Sequence, residues 1–184
     1  MKVLDPCCGS RMMWFDKHHQ SALFGDKRQE KHLLKDRKNL REVEITPDVA
    51  LDFTNLPFPD NSFVVVVFDP PHLVNAGTKS WLAKKYGVLG SDWRGDLKKG
   101  FAECFRVLKP DGVLIFKWNE NQIKVMEILA LTEQKPLFGH VSMKHKQNQT
   151  QTHWITFLKE SIQGRSQTLN DCSGKAGNGG ARKE

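Results

Sequence analysis

Residues 63–68, FVVVVF, restrict the fold more than any other stretch of this 184-residue chain. Consecutive β-branched residues are stiff at χ1 and favour strands, and a strand with no polar alternation has no face to give to water. Turn-forming residues bound the run on both sides, Asp60-Asn61-Ser62 before it and Asp69-Pro70-Pro71 after it. A short apolar strand of this kind belongs at the centre of a parallel sheet covered on both faces.

The rest of the chain alternates strand-like and helix-like segments around that centre. Lys2 to Asp5, Ser21 to Asp26 and Val49 to Asp52 read as strands, and each ends in an aspartate. Asp92 to Leu108 places Leu97, Phe101, Cys104, Phe105 and Leu108 at helical spacing, and Lys109-Pro-Asp-Gly stops that helix before a strand from Val113 to Lys117. Asn119 to Leu131 reads as a further helix carrying Ile123, Val125, Met126, Ile128 and Leu129. Segments near Leu137 to Met143 and Thr152 to Leu158 read as a closing pair of strands. Residues 27–48 are charged and weakly periodic, with a small hairpin about Asp36 to Asn39. Strand-helix alternation implies right-handed crossovers, so the expected fold is α/β: a Rossmann-like, doubly wound, mostly parallel sheet with a C-terminal antiparallel edge hairpin. The expected domain is residues 1–159. Residues 160–184, rich in Ser, Gln, Gly and Asn, read as a disordered tail.

Composition removes several alternatives. The four cysteines, Cys7, Cys8, Cys104 and Cys172, form no Cys-x-x-Cys pair, so neither a disulfide framework nor a structural metal is expected. The longest apolar run is far shorter than the roughly 20 residues of a membrane span, and a cytoplasmic protein with no membrane partner is the expectation. The net charge of +7 is concentrated: residues 75–109 carry eight basic side chains against three acidic ones. A local basic excess suits a polyanionic partner.

In an open α/β sheet ligands bind at the carboxyl ends of the strands, and every motif of interest falls there. VLDPCCGS, Val3 to Ser10, is a strand, an acid and a turn with a single glycine, Gly9, too few for a G-x-G-x-x-G phosphate cradle. Asp26 ends the next strand, where a carboxylate can accept both hydroxyls of a ribose. Asp52 and Phe53 end the third, placing an acceptor and an aromatic ring beside a base. Three acids at successive strand ends point to a nucleoside pocket.

VLDPCCGS, DFTNLPFPDNSF, FDPPH and RVLKPDGVLIF together resemble the class I S-adenosylmethionine-dependent methyltransferases, over residues 3–117. The resemblance implies S-adenosyl-L-methionine as cofactor, with Asp5, Pro6, Cys7 and Gly9 along its methionine and sulfonium side, Asp26 on the ribose, and Asp52 with Phe53 on the adenine. FDPPH is similar to the (D/N)PP(Y/F/W) signature of enzymes that methylate an exocyclic amine, most often adenine N6. The implied catalytic set is Asp69, Pro70, Pro71 and His72. Asp69 and the Pro70 carbonyl would accept the two amine N–H groups and turn the nitrogen lone pair toward the methyl, with proline keeping those acceptors rigid. His72 departs from the usual aromatic residue, offering a smaller stacking face whose charge can change near neutral pH. Arg11 also departs from the family, either closing over a ligand carboxylate or reshaping the pocket. A cofactor lid, if there is one, must come from elsewhere in the chain or from a partner.

The basic quarter starts just past this motif. Lys79, Lys84, Lys85 and Arg94, with Lys98 and Lys99, are candidates for phosphate contacts; Trp81, Tyr86 and Trp93 are candidates for stacking on bases. The loop from His145 to Thr152 is a weaker candidate for base edges. The expectation is adenine-N6 methylation of DNA, with a partner subunit or homodimer as a further expectation. The alternatives are the same reaction on RNA, methylation of a protein glutamine amide, and an inactive nucleoside-binding partner subunit.

Overall fold

A computed structural model of the chain describes residues 1–36, 39–77, 80–142 and 150–161. In chain order the elements are β1 (Val3–Asp5), β2 (Ala22–Asp26), β3 (Glu30–Asp36), β4 (Asn39–Ile45), β5 (Val49–Ala50), β6 (Phe63–Phe68), α1 (Trp81–Tyr86), α2 (Trp93–Val107), β7 (Leu108–Asn119), α3 (Val125–Leu129), β8 (Phe138–Val141) and β9 (Thr152–Leu158). Seven strands form one sheet in the order β5-β2-β1-β6-β7-β9-β8. β5, β2, β1, β6 and β7 run parallel, whereas β9 is antiparallel to both β7 and β8. The valine run is thus the central strand β6, flanked by β1 and β7, and the last two strands form the expected antiparallel edge.

Packing is uneven between the two faces. Along β7, Leu114, Phe116 and Trp118 are fully buried while Val113, Ile115 and Lys117 between them are only partly so, as alternation across a strand dictates. The buried set packs with Leu97, Phe101, Cys104 and Phe105 of α2 and Ile128 of α3, and it includes Leu4, Val66 and Phe157. Asp92 starts α2 by accepting a hydrogen bond from the Gly95 amide. The second buried cluster is small, with Cys8, Ala22 and Phe24 covered by Val3 and Trp14, whose ring meets Phe24 edge-on at 4.8 Å.

The expected mostly parallel sheet and the hairpin about Asp36 to Asn39 are both present, while the strand–helix alternation is interrupted early in the chain. Among the described residues the β1–β2 connection is a series of turns, and the β2–β5 connection is the two-stranded β3–β4 hairpin. Element ends also shift. The helix expected over Asn119 to Leu131 shrinks to α3, because Asn119 still pairs with Thr152 in the sheet. The strand expected over Val113 to Lys117 extends in both directions, and Lys109-Pro-Asp-Gly lies within it, with Asp111 at φ 60°. Of Val49 to Asp52 only Val49 and Ala50 pair with β2, and Asp52 instead bridges Asn55. Helix α1 carries no apolar periodicity in the sequence. The tail beyond residue 161 and Lys79 lie outside the described residues, as do residues 143–149 of the His145 to Thr152 loop. Among the described residues no helix is long and apolar enough to cross a membrane.

Candidate functional site

Parallel pairing in register brings the carboxyl ends of β1, β2, β5 and β6 to one edge of the sheet. There a cavity of 390 Å3 is bordered by Pro6, Cys7, Asp26, Asp52, Phe53 and Asp69, and closed by the stretch Tyr86 to Gly90. Five of the seven residues expected along a nucleoside cofactor therefore share one cavity. Gly9 reaches it indirectly, its amide donating to Asp26 Oδ2 at 2.9 Å from a left-handed φ of 50° that a side chain would strain. Asp5 does not line the cavity. It is fully buried behind the loop, where it accepts from the Cys7 amide at 3.2 Å and from Trp14 Nε1 at 2.8 Å. Burial pushes its carboxyl up to about 7 against the pull of the Trp14 hydrogen bond. These two bonds tie the turn after β1 to Trp14, a partner that the place of Asp5 at a strand end does not reveal.

Of the four aspartates that border the cavity, Asp26 and Asp52 are braced by nearby cations from the stretch after β2. Arg28 reaches both oxygens of Asp26, at 3.2 and 3.3 Å, and also donates to the Lys84 carbonyl of α1 at 3.1 Å. Asp52 accepts from Lys27 Nζ at 2.8 Å and from the amide and hydroxyl of Thr54. Burial works to raise the Asp52 carboxyl, but the Lys27 and Thr54 donors outweigh it and hold the group below the usual carboxylate range. The Phe53 ring stands edge-on to Phe68 at 5.5 Å, and α2 passes so close that a Cβ on Gly100 would lie 2.7 Å from Phe53. An acid on each of two adjacent strands, a packed aromatic ring beside one of them and a volume within the range of small-molecule sites suit a nucleoside.

Arg11 follows neither of its two expected courses closely. Its guanidinium donates to Asp48 at 2.7 Å and to the carbonyls of Lys17 and Thr46, and it stacks over Phe24 at 4.0 Å. It fastens the turn after Gly9 to the connection between β4 and β5.

Asp69 borders the 390 Å3 cavity on one side and a 40 Å3 constriction on the other, together with Pro70, His72, Tyr86 and Lys117. Beyond the constriction lies a 340 Å3 pocket that His72, Tyr86 and Lys117 share with Met12, Leu82, Asn119 and Thr152. The turn after β6 therefore borders the smallest of three neighbouring spaces, a waist in the sense that it shares lining residues with both larger ones. Lys117 Nζ lies 2.5 Å from Asp69 Oδ2, a partner that nothing in the local motif announces. Burial raises the Asp69 carboxyl, and the charge and hydrogen bond of Lys117 oppose that rise without cancelling it. His72 packs against Tyr86, with ring centroids 5.0 Å apart, and against the edge of Trp118 at 6.3 Å. Burial, then the Lys117 charge, pull its imidazole down to about 4, so it is neutral at neutral pH and the expected charge change there does not occur.

The basic quarter divides. Lys85 and Tyr86 border the constriction, the Lys85 ammonium sits 4.9 Å from the Tyr86 ring, and Trp81 and Lys85 border a groove of 920 Å3 that runs past Gly9, Met12 and Arg41. Lys84 lies 3.8 Å from Glu30, which offsets its charge. Arg94 lies over Trp93 and pairs with Glu127 of α3, and Trp93 packs on the core, so neither joins these cavities. Lys98 and Lys99 are exposed on α2.

No family model matches the sequence, and no curated protein matches it. Solved structures do match the fold. A SAM-dependent methyltransferase from Methanosarcina mazei aligns with a TM-score of 0.56 at 12% identity, over 86% of this chain and 92% of that one. A protein of Pyrococcus horikoshii OT3 aligns with a TM-score of 0.51 at 14% identity, over 86% and 82%. A SAM-dependent methyltransferase of the DUF858 family from Leishmania major gives 0.52 at 12% identity, over 85% of this chain but 63% of its own length. The chain has the fold of the class I S-adenosylmethionine-dependent methyltransferases.

Proposed function

We propose that this protein is an S-adenosyl-L-methionine-dependent N-methyltransferase that modifies the exocyclic N6 amine of adenine in DNA. The observation that carries the reading is the waist at Asp69: one carboxylate borders both a nucleoside-suited cavity and, with Pro70, a small space whose residues His72, Tyr86 and Lys117 also line a second pocket. In the first cavity Asp26 would take the ribose hydroxyls in competition with Arg28, Asp52 the adenine amine in competition with Lys27, and Phe53 would pack on the ring. When bound, S-adenosyl-L-methionine would supply a sulfonium methyl whose carbon the amine lone pair attacks, the N–C bond forming as the S–C bond breaks, with S-adenosylhomocysteine as the leaving group and one amine proton lost.

The protein's own part follows from the donor and acceptor inventory. An exocyclic amine is a weak nucleophile because its lone pair is delocalised into the ring. Asp69 Oδ1, the oxygen that Lys117 leaves unengaged, and the Pro70 carbonyl would accept the two N–H groups and draw the lone pair out of the ring plane. A carboxyl raised by burial is also a suitable acceptor for the proton the amine loses. His72, neutral and packed on Tyr86, would provide a flat face for a base taken out of its stack. Lys85 and Trp81, along the groove past Gly9, would hold the flanking strand.

Tritium transfer from labelled cofactor to duplex DNA, single-stranded DNA, RNA and mixed protein, measured side by side, tests the reading. It expects label in DNA, recovered as N6-methyladenine after digestion. Label only in RNA or protein, or in no acceptor, contradicts it.

A further inference from the structure

Lys117 is the one ionisable side chain on β7 that reaches the waist, and neither the cofactor cavity nor the Asp69-Pro-Pro-His turn requires it. Phe68 and Phe116 are paired in register, so Asp69 and Lys117 are the next residues along two adjacent parallel strands. Both side chains are about one-fifth exposed. An ammonium has three N–H donors, and among the described residues the only hydrogen-bond acceptor of Lys117 is Asp69. Its position 5.7 Å from the Trp154 ring steadies the charge without using a donor. The remaining donors border the constriction and the 340 Å3 pocket, whereas Asp69 borders the constriction and the cofactor cavity.

The pair therefore presents an acceptor and a donor side by side at one opening. The complementary edge has an amine N–H next to an sp² acceptor, the amidine edge that adenine shows at N6 and N1 and cytosine at N4 and N3. Building on the adenine reading above, we propose that Lys117 is the specificity-determining residue of the substrate pocket, donating to adenine N1 while Asp69 accepts from N6. A base without a ring acceptor beside its amine leaves the ammonium without that partner, which is costly in a partly desolvated site. Asn119 and Thr152, which border the same pocket, lie beyond this pair.

The test uses DNA copied with 1-deaza-2′-deoxyadenosine triphosphate in place of the ordinary adenine nucleotide, which removes N1 and keeps the amine. With the full-length protein, kcat/KM should fall about 10- to 100-fold on the deaza copy, and equilibrium binding measured without cofactor should weaken in the same direction. Lys117→Met should lose a comparable factor on ordinary DNA and no longer distinguish the two copies, and Lys117→Arg should keep part of the distinction. Equal handling of the two copies by the unaltered protein, or a distinction that survives in Lys117→Met, overturns the inference while leaving adenine methylation standing. The unaltered-protein comparison does not depend on any variant folding. Transfer to cytosine, with the same dependence on its N3, overturns the adenine reading and supports Lys117. Absence of transfer to ordinary DNA overturns both.

Discussion

In the 390 Å3 cavity the two acids at the ends of β2 and β5 are braced by cations from the residues that follow β2, Asp26 by Arg28 two positions on and Asp52 by Lys27 across the β2–β5 pair. In the 340 Å3 pocket the polar and aromatic groups come from distant parts of the chain: Lys117 is 48 residues from Asp69, and His72 packs between Tyr86 of α1 and Trp118 of β7. The first space is a property of strand ends and their short loops. The second exists only when β6, β7 and α1 are assembled. Changes in the first should therefore act on cofactor affinity, and changes around the second on turnover and substrate choice.

Asp69→Ala offers the sharpest break in that division, because Asp69 belongs to both sides. Turnover should fall on the order of 10²–10³-fold or more while the cofactor Kd, measured by calorimetry, changes little. A large loss of cofactor affinity would put Asp69 on the other side. Asp26→Ala should do the reverse, weakening cofactor binding about 10- to 100-fold through the loss of charge-assisted hydrogen bonds. Saturating cofactor should then restore most of kcat.

His72→Phe should keep turnover within a few-fold if the ring only stacks, and complete loss would point to a specific hydrogen bond. Its stability carries a second readout. A histidine depressed from 6.5 to about 4 binds fewer protons folded than unfolded, so its contribution is present above 6.5 and is lost as pH falls toward 4. Asp5, raised from 3.8 to about 7, works the opposite way, and its contribution is lost as pH rises through that interval. In denaturant titrations the phenylalanine variant should therefore lose stability with rising pH between 4 and 6.5 more steeply than the parent protein does. The smallest effect is expected at the groove. Lys85→Glu should weaken DNA binding and flatten its salt dependence by about one unit of log–log slope, with Lys84→Glu doing less because Glu30 already lies beside it.

How far the sequence foretold these two spaces follows from how each is built. Asp26, Asp52 and Phe53 were legible because a strand end is a local pattern, and the central place of β6 and the antiparallel edge were legible from apolar runs and turn signals. Lys117 was not, since it stands in an apolar strand as one odd residue of VLIFKWN and its meaning depends on the register of a neighbour. A lysine on the half-exposed face of a central strand, at the end where ligands bind, was the available signal. The hairpin about Asp36 to Asn39 was legible, but the turns that replace a helix between β1 and β2, and the ties that hold both connections, were hidden for a different reason. Arg11 and Asp5 hold them through pairings with Asp48 and Trp14 that no periodicity reports.

The central claim is that two spaces meet across Asp69. A crystal structure with S-adenosylhomocysteine and a short adenine-containing oligonucleotide tests it most directly. The account predicts the ribose against Asp26, the sulfur turned toward the constriction at Asp69 and Pro70, and the target base beyond it beside Lys117. An adenosyl group in the 340 Å3 pocket, or a sulfur directed away from residues 69–72, would contradict it.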